Sequence, residues 1–325
     1  MEYRNLGQSG LKVSAVGLGC NNFGMLMDQQ KTNAVVNTAL DQGITLFDTA
    51  DVYGGNGKSE SYLGKALGKK RRQAVIATKF GNPMGDGPYK TGASRRYIMQ
   101  AVEASLKRLK TDYIDLYQIH KPDPETPIEE TLRAMDDLIR DGKVRHIGCS
   151  NFNGWQLVEA QWLSQTSGFD CFVSAQNRYS LLSREIELDL APAAEKYGVG
   201  ILPFFPLESG LLTGKYQPGK APKKGTRWHA WKERGALANA FWSGDRFEQV
   251  NKLQALCDSY GHSLLELAFG WLLDRPYVPS VIAGATKPAQ IKGNVKAAEF
   301  RPSPEENLAI DEITQPSMSG GMPGR

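Results

Sequence analysis

The amino-acid sequence predicts an α/β fold, a (β/α)8 TIM barrel with an N-terminal hairpin cap and a long loop after the seventh strand. Three observations predict it. Short apolar, β-branched runs alternate with segments of helical period along almost the whole chain. Seven strand starts recur about every 30 residues, and the eighth follows a gap of about 80. The first strand leads into Gly17-Leu18-Gly19-Cys20-Asn21-Asn22, which lacks the third glycine of the phosphate-binding turn of a doubly wound sheet. Such alternation means parallel strands joined by right-handed crossovers, and eight units argue for closure over an open sheet.

In order, the predicted strands are Val13–Gly19, Ile44–Asp48, Ala74–Lys79, Tyr113–His120, Val144–Ser150, Phe172–Gln176, Val199–Phe204 and Val278–Gly284. Their nearly unbroken apolar character fits strands covered on both faces. Between them, Ile98, Val102, Ser105, Leu106 and Leu109 mark one helical stripe, and Ile128, Leu132, Met135 and Ile139 a second. Val250, Leu253, Leu256 or Cys257, and Tyr260 mark a third. Helix starts are signalled at Ser59 and at Thr126-Pro127, where proline suits the first turn. Residues 1–12, with Gly7-Gln8-Ser9-Gly10 at their centre, read as a hairpin capping the barrel floor. Residues 207–245 form the long loop. The expected organisation is one domain over 1–316 and a flexible Gly/Pro/Ser/Met-rich tail over 317–325.

The 325 residues, 41% hydrophobic and 23% charged, suffice for a core that needs no staples. Thirty-nine Lys+Arg against 35 Asp+Glu gives a net charge of +4, short of a nucleic-acid footprint. The cysteines at 20, 149, 171 and 257 show no CxxC pair and no metal spacing, which fits a reduced, cytoplasmic chain. The N-terminus lacks signal-peptide regions, and no apolar run approaches the ~18 residues of a membrane span. The expected partner is a small molecule, with no nucleic acid, membrane or metal.

In a barrel, side chains at the C-terminal strand ends converge on one face. Here Asp48, Lys79 and His120 each close an otherwise apolar strand, and Tyr53 follows Asp48 by five residues. One such residue would be unremarkable packing at the rim; four at successive ends point to chemistry.

The motifs Phe47-Asp48-Thr49-Ala50-Asp51-Val52-Tyr53-Gly54, Thr78-Lys79, Asp112-Tyr113-Ile114-Asp115-Leu116-Tyr117-Gln118-Ile119-His120 and Gly148-Cys149-Ser150-Asn151-Phe152 carry a resemblance. So do Gly210-Leu211-Leu212-Thr213-Gly214-Lys215-Tyr216 and Ile282-Ala283-Gly284-Ala285-Thr286. Over nearly its whole length the chain resembles the aldo-keto reductase family. The resemblance implies a catalytic tetrad of Asp48, Tyr53, Lys79 and His120. Carbonyl reduction needs a hydride at carbon and a proton at oxygen. Tyr53 is the expected acid, with Lys79 the cation that favours its phenolate. Asp48 is expected to hold Lys79, and His120 to orient the carbonyl. Asp51 lies beyond the strand and is the weaker candidate partner for Lys79.

The resemblance also implies a nicotinamide cofactor, NADP(H). Ser150, Asn151 and Gln176 are expected on its carboxamide and Phe204 on its ring, with Gly19, Cys20 and Asn21 nearby. The family usually has Tyr followed by a small hydroxyl residue where this chain has Phe204-Phe205-Pro206. Backbone groups around Leu207, Ser209 and Gly210, with Lys215, are expected to replace the lost pyrophosphate bond. Gly284, Ala285, Thr286, Lys287, Gln290 and Asn294 are expected at the adenosine end, Lys287 and Thr286 meeting a 2′-phosphate. Trp228, Trp231, Phe241 and Trp242 in the long loop, with Phe23 opposite, form a candidate pocket for aromatic or hydrophobic carbonyls. Two other functions fit the same residues: a nucleotide-binding regulatory subunit or redox sensor, and an acid–base isomerase without a redox cofactor.

Overall fold

The computed structural model describes residues 1–216 and 244–315. A hairpin comes first, β1 (Tyr3–Asn5) antiparallel to β2 (Lys12–Ser14). The barrel strands follow as β3 (Val16–Gly19), β4 (Leu46–Asp48), β5 (Val75–Phe80), β6 (Ile114–Ile119), β7 (Val144–Ser150), β8 (Ser174–Gln176), β9 (Gly200–Ile201) and β10 (Val281–Gly284). They form one parallel sheet in the order β10-β3-β4-β5-β6-β7-β8-β9. Two backbone hydrogen bonds close the seam beside its two outer strands: Ile201 N in β9 donates to Tyr277 O, before β10, at 2.7 Å, and Ile282 N in β10 donates to Pro203 O, after β9, at 3.1 Å.

The helices are α1 (Gln29–Asp41), α2 (Lys58–Leu67), α3 (Arg95–Leu109), α4 (Ile128–Arg140), α5 (Gly154–Ser167), α6 (Leu190–Tyr197), α7 (Gly244–Tyr260), α8 (Leu264–Leu273), α9 (Pro288–Ala297) and α10 (Pro304–Thr314). Side chains that satisfy the orphan amides start several of them. Asp28 caps α1, and capping boxes at Ser263-Glu266 and Ser303-Glu306 open α8 and α10. The α3 stripe is buried at all five expected positions. On the α7 stripe Tyr260 stays exposed, while Val250, Leu253 and Cys257 are buried.

Three strand limits differ from expectation by three residues, and the others by two or fewer. The run Val13–Gly19 divides at Ala15, its first part serving the hairpin. β9 stops at Ile201, two residues before Pro203, and β10 starts at Val281, after Pro279; proline has no amide hydrogen to extend a ladder. The hairpin occupies the N-terminal ends of the barrel strands. Leu6 and Val13 join Leu46, Ala77, Leu116, Leu202 and Ile282 in one buried cluster. Gly7, at φ +57°, brings the turn so close that a Cβ would lie 2.5 Å from Val173 O. The opposite end of the barrel is therefore the open one.

Candidate active site

The C-terminal strand ends line a cleft of about 780 Å³, within the usual range of small-molecule sites. Alternation along β4 and β5 sends Leu46 and Ala77 into the floor cluster and, two residues on, Asp48 and Lys79 inward nearer the cleft. Lys79 is fully buried, and its Nζ donates to Asp48 Oδ1 (2.7 Å), Asp48 Oδ2 (2.8 Å) and Thr49 O (2.9 Å). Gln176 Nε2, from β8, donates to Asp48 Oδ1 at 2.8 Å. Tyr53 lies on the turn after β4, and the Lys79 ammonium is 5.1 Å from its ring centre, where its charge acts on the phenol. The Tyr53 and His120 rings meet edge to face at 5.6 Å. The structure thus brings together all four residues of the expected tetrad.

The turn carrying Tyr53 is held from both sides. Ser59 Oγ donates to Cys20 O at 2.7 Å and pairs with Thr49 Oγ1 at 2.8 Å, so Ser59 is a clamp within α2, and Gly57 takes the cap position. Asp51 N donates to Lys79 O at 3.1 Å, but the Asp51 side chain does not compete for the Lys79 ammonium.

Burial sets the protonation of the site. It raises the Tyr53 phenol above its ordinary 10.0 although Lys79 pulls the other way, so the phenol keeps its proton. The sequence anticipates a cation-stabilised phenolate; in this state the loss of hydration outweighs the cation. For Lys79 burial disfavours the charge, yet Asp48 and Tyr53 outweigh it and the ammonium is held firmly. Burial, then Lys79 and Lys121, push His120 down to about 3, leaving a neutral imidazole at physiological pH.

Of the expected cofactor residues, Gly19, Asn21, Ser150, Asn151 and Gln176 line the cleft at the tetrad end. Asn151, at φ +60°, donates to His120 O at 2.8 Å and to Ser150 Oγ at 3.0 Å. Phe204, Phe205, Pro206, Leu207, Ser209, Gly210 and Lys215 line the wall after β9. Phe205, Glu208 and Ser209 all have positive φ, and the buried Glu208 carboxylate anchors the loop. It accepts from Arg178, from Ser180 Oγ at 2.8 Å and from Arg246 Nη1 at 2.9 Å. Such left-handed residues persist only where surroundings over-determine them. Gly284, Thr286, Lys287, Gln290 and Asn294 line the far end. There Gln290 Oε1 accepts from Thr286 N (2.8 Å) and Lys287 N (3.1 Å), so its carbonyl oxygen is engaged in capping α9.

Three expected residues do not reach the cleft. Cys20 and Ala285 are buried beneath it, and burial pushes the Cys20 thiol well above its ordinary range. Phe23 is a correction to the proposed pocket wall: it is fully buried in the main core, because the turn at Gly24 (φ +73°) directs it inward. Leu26, three residues on, lines the cleft instead. Trp228, Trp231, Phe241 and Trp242 lie outside the described residues. The sequence reading missed Asn22, Thr213, Leu265, Ala289 and Gly293. Ala289 and Gly293 are four apart on α9, and their smallness leaves space rather than a polar signal.

A nicotinamide dinucleotide fits these residues. Ser209 Oγ is buried without a partner among the described residues, and amide, hydroxyl and basic groups alternate along the cleft. Among the described residues there is no His/Cys/Asp/Glu cluster for a metal and no helix long and apolar enough to cross a membrane.

A barrel with a buried ion pair and a phenol at one end of a small-molecule cleft is the class this geometry defines. The chain belongs to the Aldo/keto reductase family, whose sequence pattern matches residues 15–315, and is an oxidoreductase of that family. It is similar to a probable voltage-gated potassium channel subunit beta of Arabidopsis thaliana, 37% identical over 97% of this chain and 96% of that protein. It is 34% identical to versiconal hemiacetal acetate reductase of Aspergillus parasiticus, over 96% of each chain. L-glyceraldehyde 3-phosphate reductase of Escherichia coli O157:H7 is 33% identical over 96% of this chain and 92% of its own.

Proposed function

We propose that the protein reduces aldehydes or ketones to alcohols with NADPH, Tyr53 acting as the general acid. The observation that carries this is the buried Asp48–Lys79 pair set against a protonated phenol at the end of the cleft. Reduced nicotinamide, when bound, supplies the hydride. Tyr53 gives its proton from Oη to the carbonyl oxygen as negative charge develops there. Lys79 compensates the phenolate left behind, and Asp48 with Gln176 keeps the ammonium oriented. His120, neutral at working pH, donates a ring N–H to the same oxygen and fixes the carbonyl's direction.

Ser150, Asn151 and the free carbonyl oxygen of Gln176 would hold the carboxamide, and Phe204 would stack on the ring. Phe205, Leu207, Ser209, Gly210 and Lys215 would follow the pyrophosphate, and Asn294 with the Gln290 amide the adenine. Lys287, exposed on the cleft rim, and Thr286 favour a 2′-phosphate over a 2′-hydroxyl. Lys287→Ala is expected to weaken NADPH binding about tenfold or more, the loss of one charge-assisted hydrogen bond, with little change for NADH. Fluorescence titration of both nucleotides checks this, and equal losses remove the 2′-phosphate assignment.

The test of the function is NADPH consumption with a panel of aldehydes and ketones, where steady turnover of any one is the supporting result. A second reading is favoured by the likeness to proteins named as potassium channel beta subunits. It makes the protein a nucleotide-binding regulatory subunit or redox sensor. Tight NADPH binding with negligible turnover on every carbonyl would select it.

A further inference from the structure

Outside the barrel wall, between β4–β6 and helices α2 and α3, lies a buried polar cluster that the reduction does not use. It holds two carboxylates, Asp51 (1% exposed) and Glu60 (0%), and one cation, Arg108. Glu60 is fully engaged: Arg108 Nε donates to Oε2 at 2.6 Å and Thr78 Oγ1 to Oε1 at 2.6 Å. Asp51 is left with a long hydrogen bond from Tyr97 Oη to Oδ2, at 3.4 Å. Its Oδ1 is buried with no partner among the described residues, as is Tyr117 Oη. The titratable and charged groups facing Asp51 are Glu60 from α2, Tyr97 and Arg108 from α3 and Tyr117 from β6; the Lys79 contact is to its backbone carbonyl alone. Two buried carboxylates against one cation leave an uncompensated charge unless one keeps its proton.

We propose that Asp51 is a positioning residue for the reduction: as a neutral carboxyl it seats the Thr49–Tyr53 turn, and on losing its proton it displaces that turn. The connection is short. Asp51 N bonds Lys79 O, and Tyr53, two residues on, bonds back to Ala50 O at 3.2 Å. A charge forming at Asp51 repels Glu60 and works directly on the backbone that aims both the phenol and the ammonium. Burial, with Glu60 adding to it, lifts the Asp51 carboxyl from 3.8 to about 7. His120 titrates near 3 and the Tyr53 phenol above 10.0, so of these three Asp51 alone changes charge near neutrality. Between 3.8 and about 7 the folded protein holds a proton that the unfolded chain releases, so stability falls as pH rises through that window.

The inference rests on the reductase reading, and the experiment separates the two. At saturating NADPH and carbonyl, wild-type kcat is expected to fall several-fold between pH 6 and 8.5 with KM little changed. Asp51→Asn keeps the shape, cannot ionise, and should abolish that fall; Glu60→Gln removes the repelling charge and should move it to lower pH. An Asp51→Asn profile that overlays the wild type, or a Glu60→Gln profile that does not move, overturns the proposal. The thermal arm needs no turnover. Wild-type Tm should drop from pH 5 to pH 8 relative to Asp51→Asn, and parallel curves overturn the proposal even in a protein that reduces no carbonyl. Absence of turnover with that thermal difference intact sinks the reductase reading alone.

Discussion

Tyr53→Phe is expected to lower kcat for carbonyl reduction by about a thousandfold while leaving NADPH affinity within a factor of two. The magnitude follows from the 10²–10⁴-fold that a positioned general acid contributes. The substitution removes one oxygen and nothing from the cleft's hydrophobic lining. The phenol stands against the Lys79 ammonium and the His120 ring, so among the described residues no neighbouring group has both the reach and the proton to replace it. His120 is neutral with its titration near 3, and Lys79 spends its hydrogens on the two Asp48 oxygens and Thr49 O. Steady-state kinetics beside a nucleotide titration checks the result. An unchanged rate takes Tyr53 out of the mechanism; a parallel loss of NADPH affinity makes it part of the cofactor bed.

Lys79→Met is expected to act twice, abolishing measurable reduction and destabilising the fold by about 3–5 kcal/mol, the usual cost of stranding a buried charge. Methionine fills much of the same volume. Asp48, however, 3% exposed, then keeps Gln176 Nε2 alone of its present side-chain partners. Its carboxylate would take up a proton to escape the penalty, so the loss should shrink on acidification. Urea unfolding of both proteins at pH 5 and pH 8 measures the difference. Equal stability at both pH values would mean that Asp48 finds another counter-charge and that the pair is less tightly coupled than its 2.7 Å contact indicates.

The barrel and its polar strand ends were legible in the sequence for one physical reason, whereas the grouping of those residues with Tyr53 as a tetrad came from the family resemblance. A strand covered on both faces admits few polar residues, so Asp48, Lys79 and His120 stand out against apolar runs whose period of two also fixes their side of the sheet. What the sequence hid was of two kinds. Some residues act by being small: Ala289 and Gly293 open one face of α9, and an absence of side chain leaves no trace in a pattern of charges. Others depend on a turn. Phe23 and Leu26 sit in one loop, and the backbone at Gly24 decides that the first enters the core and the second the cleft. Asp51 shows the second limit. Its sequence position beside Asp48 suggested competition for Lys79, whereas its side chain leaves the strand on the opposite side and joins Glu60 and Tyr97. Strand ends were shortened at Pro203 and Pro279, where the ladder loses a donor.

The N-terminal hairpin also decides how the protein can be handled. Met1 rests near Gly43, beside the start of β4, at the pole farthest from the catalytic mouth. A purification tag fused ahead of it therefore hangs clear of arriving substrate. Trimming the first fourteen residues instead withdraws Leu6 and Val13 like a stopper and lets water into the base of the barrel, so any shortened version should retain that stretch.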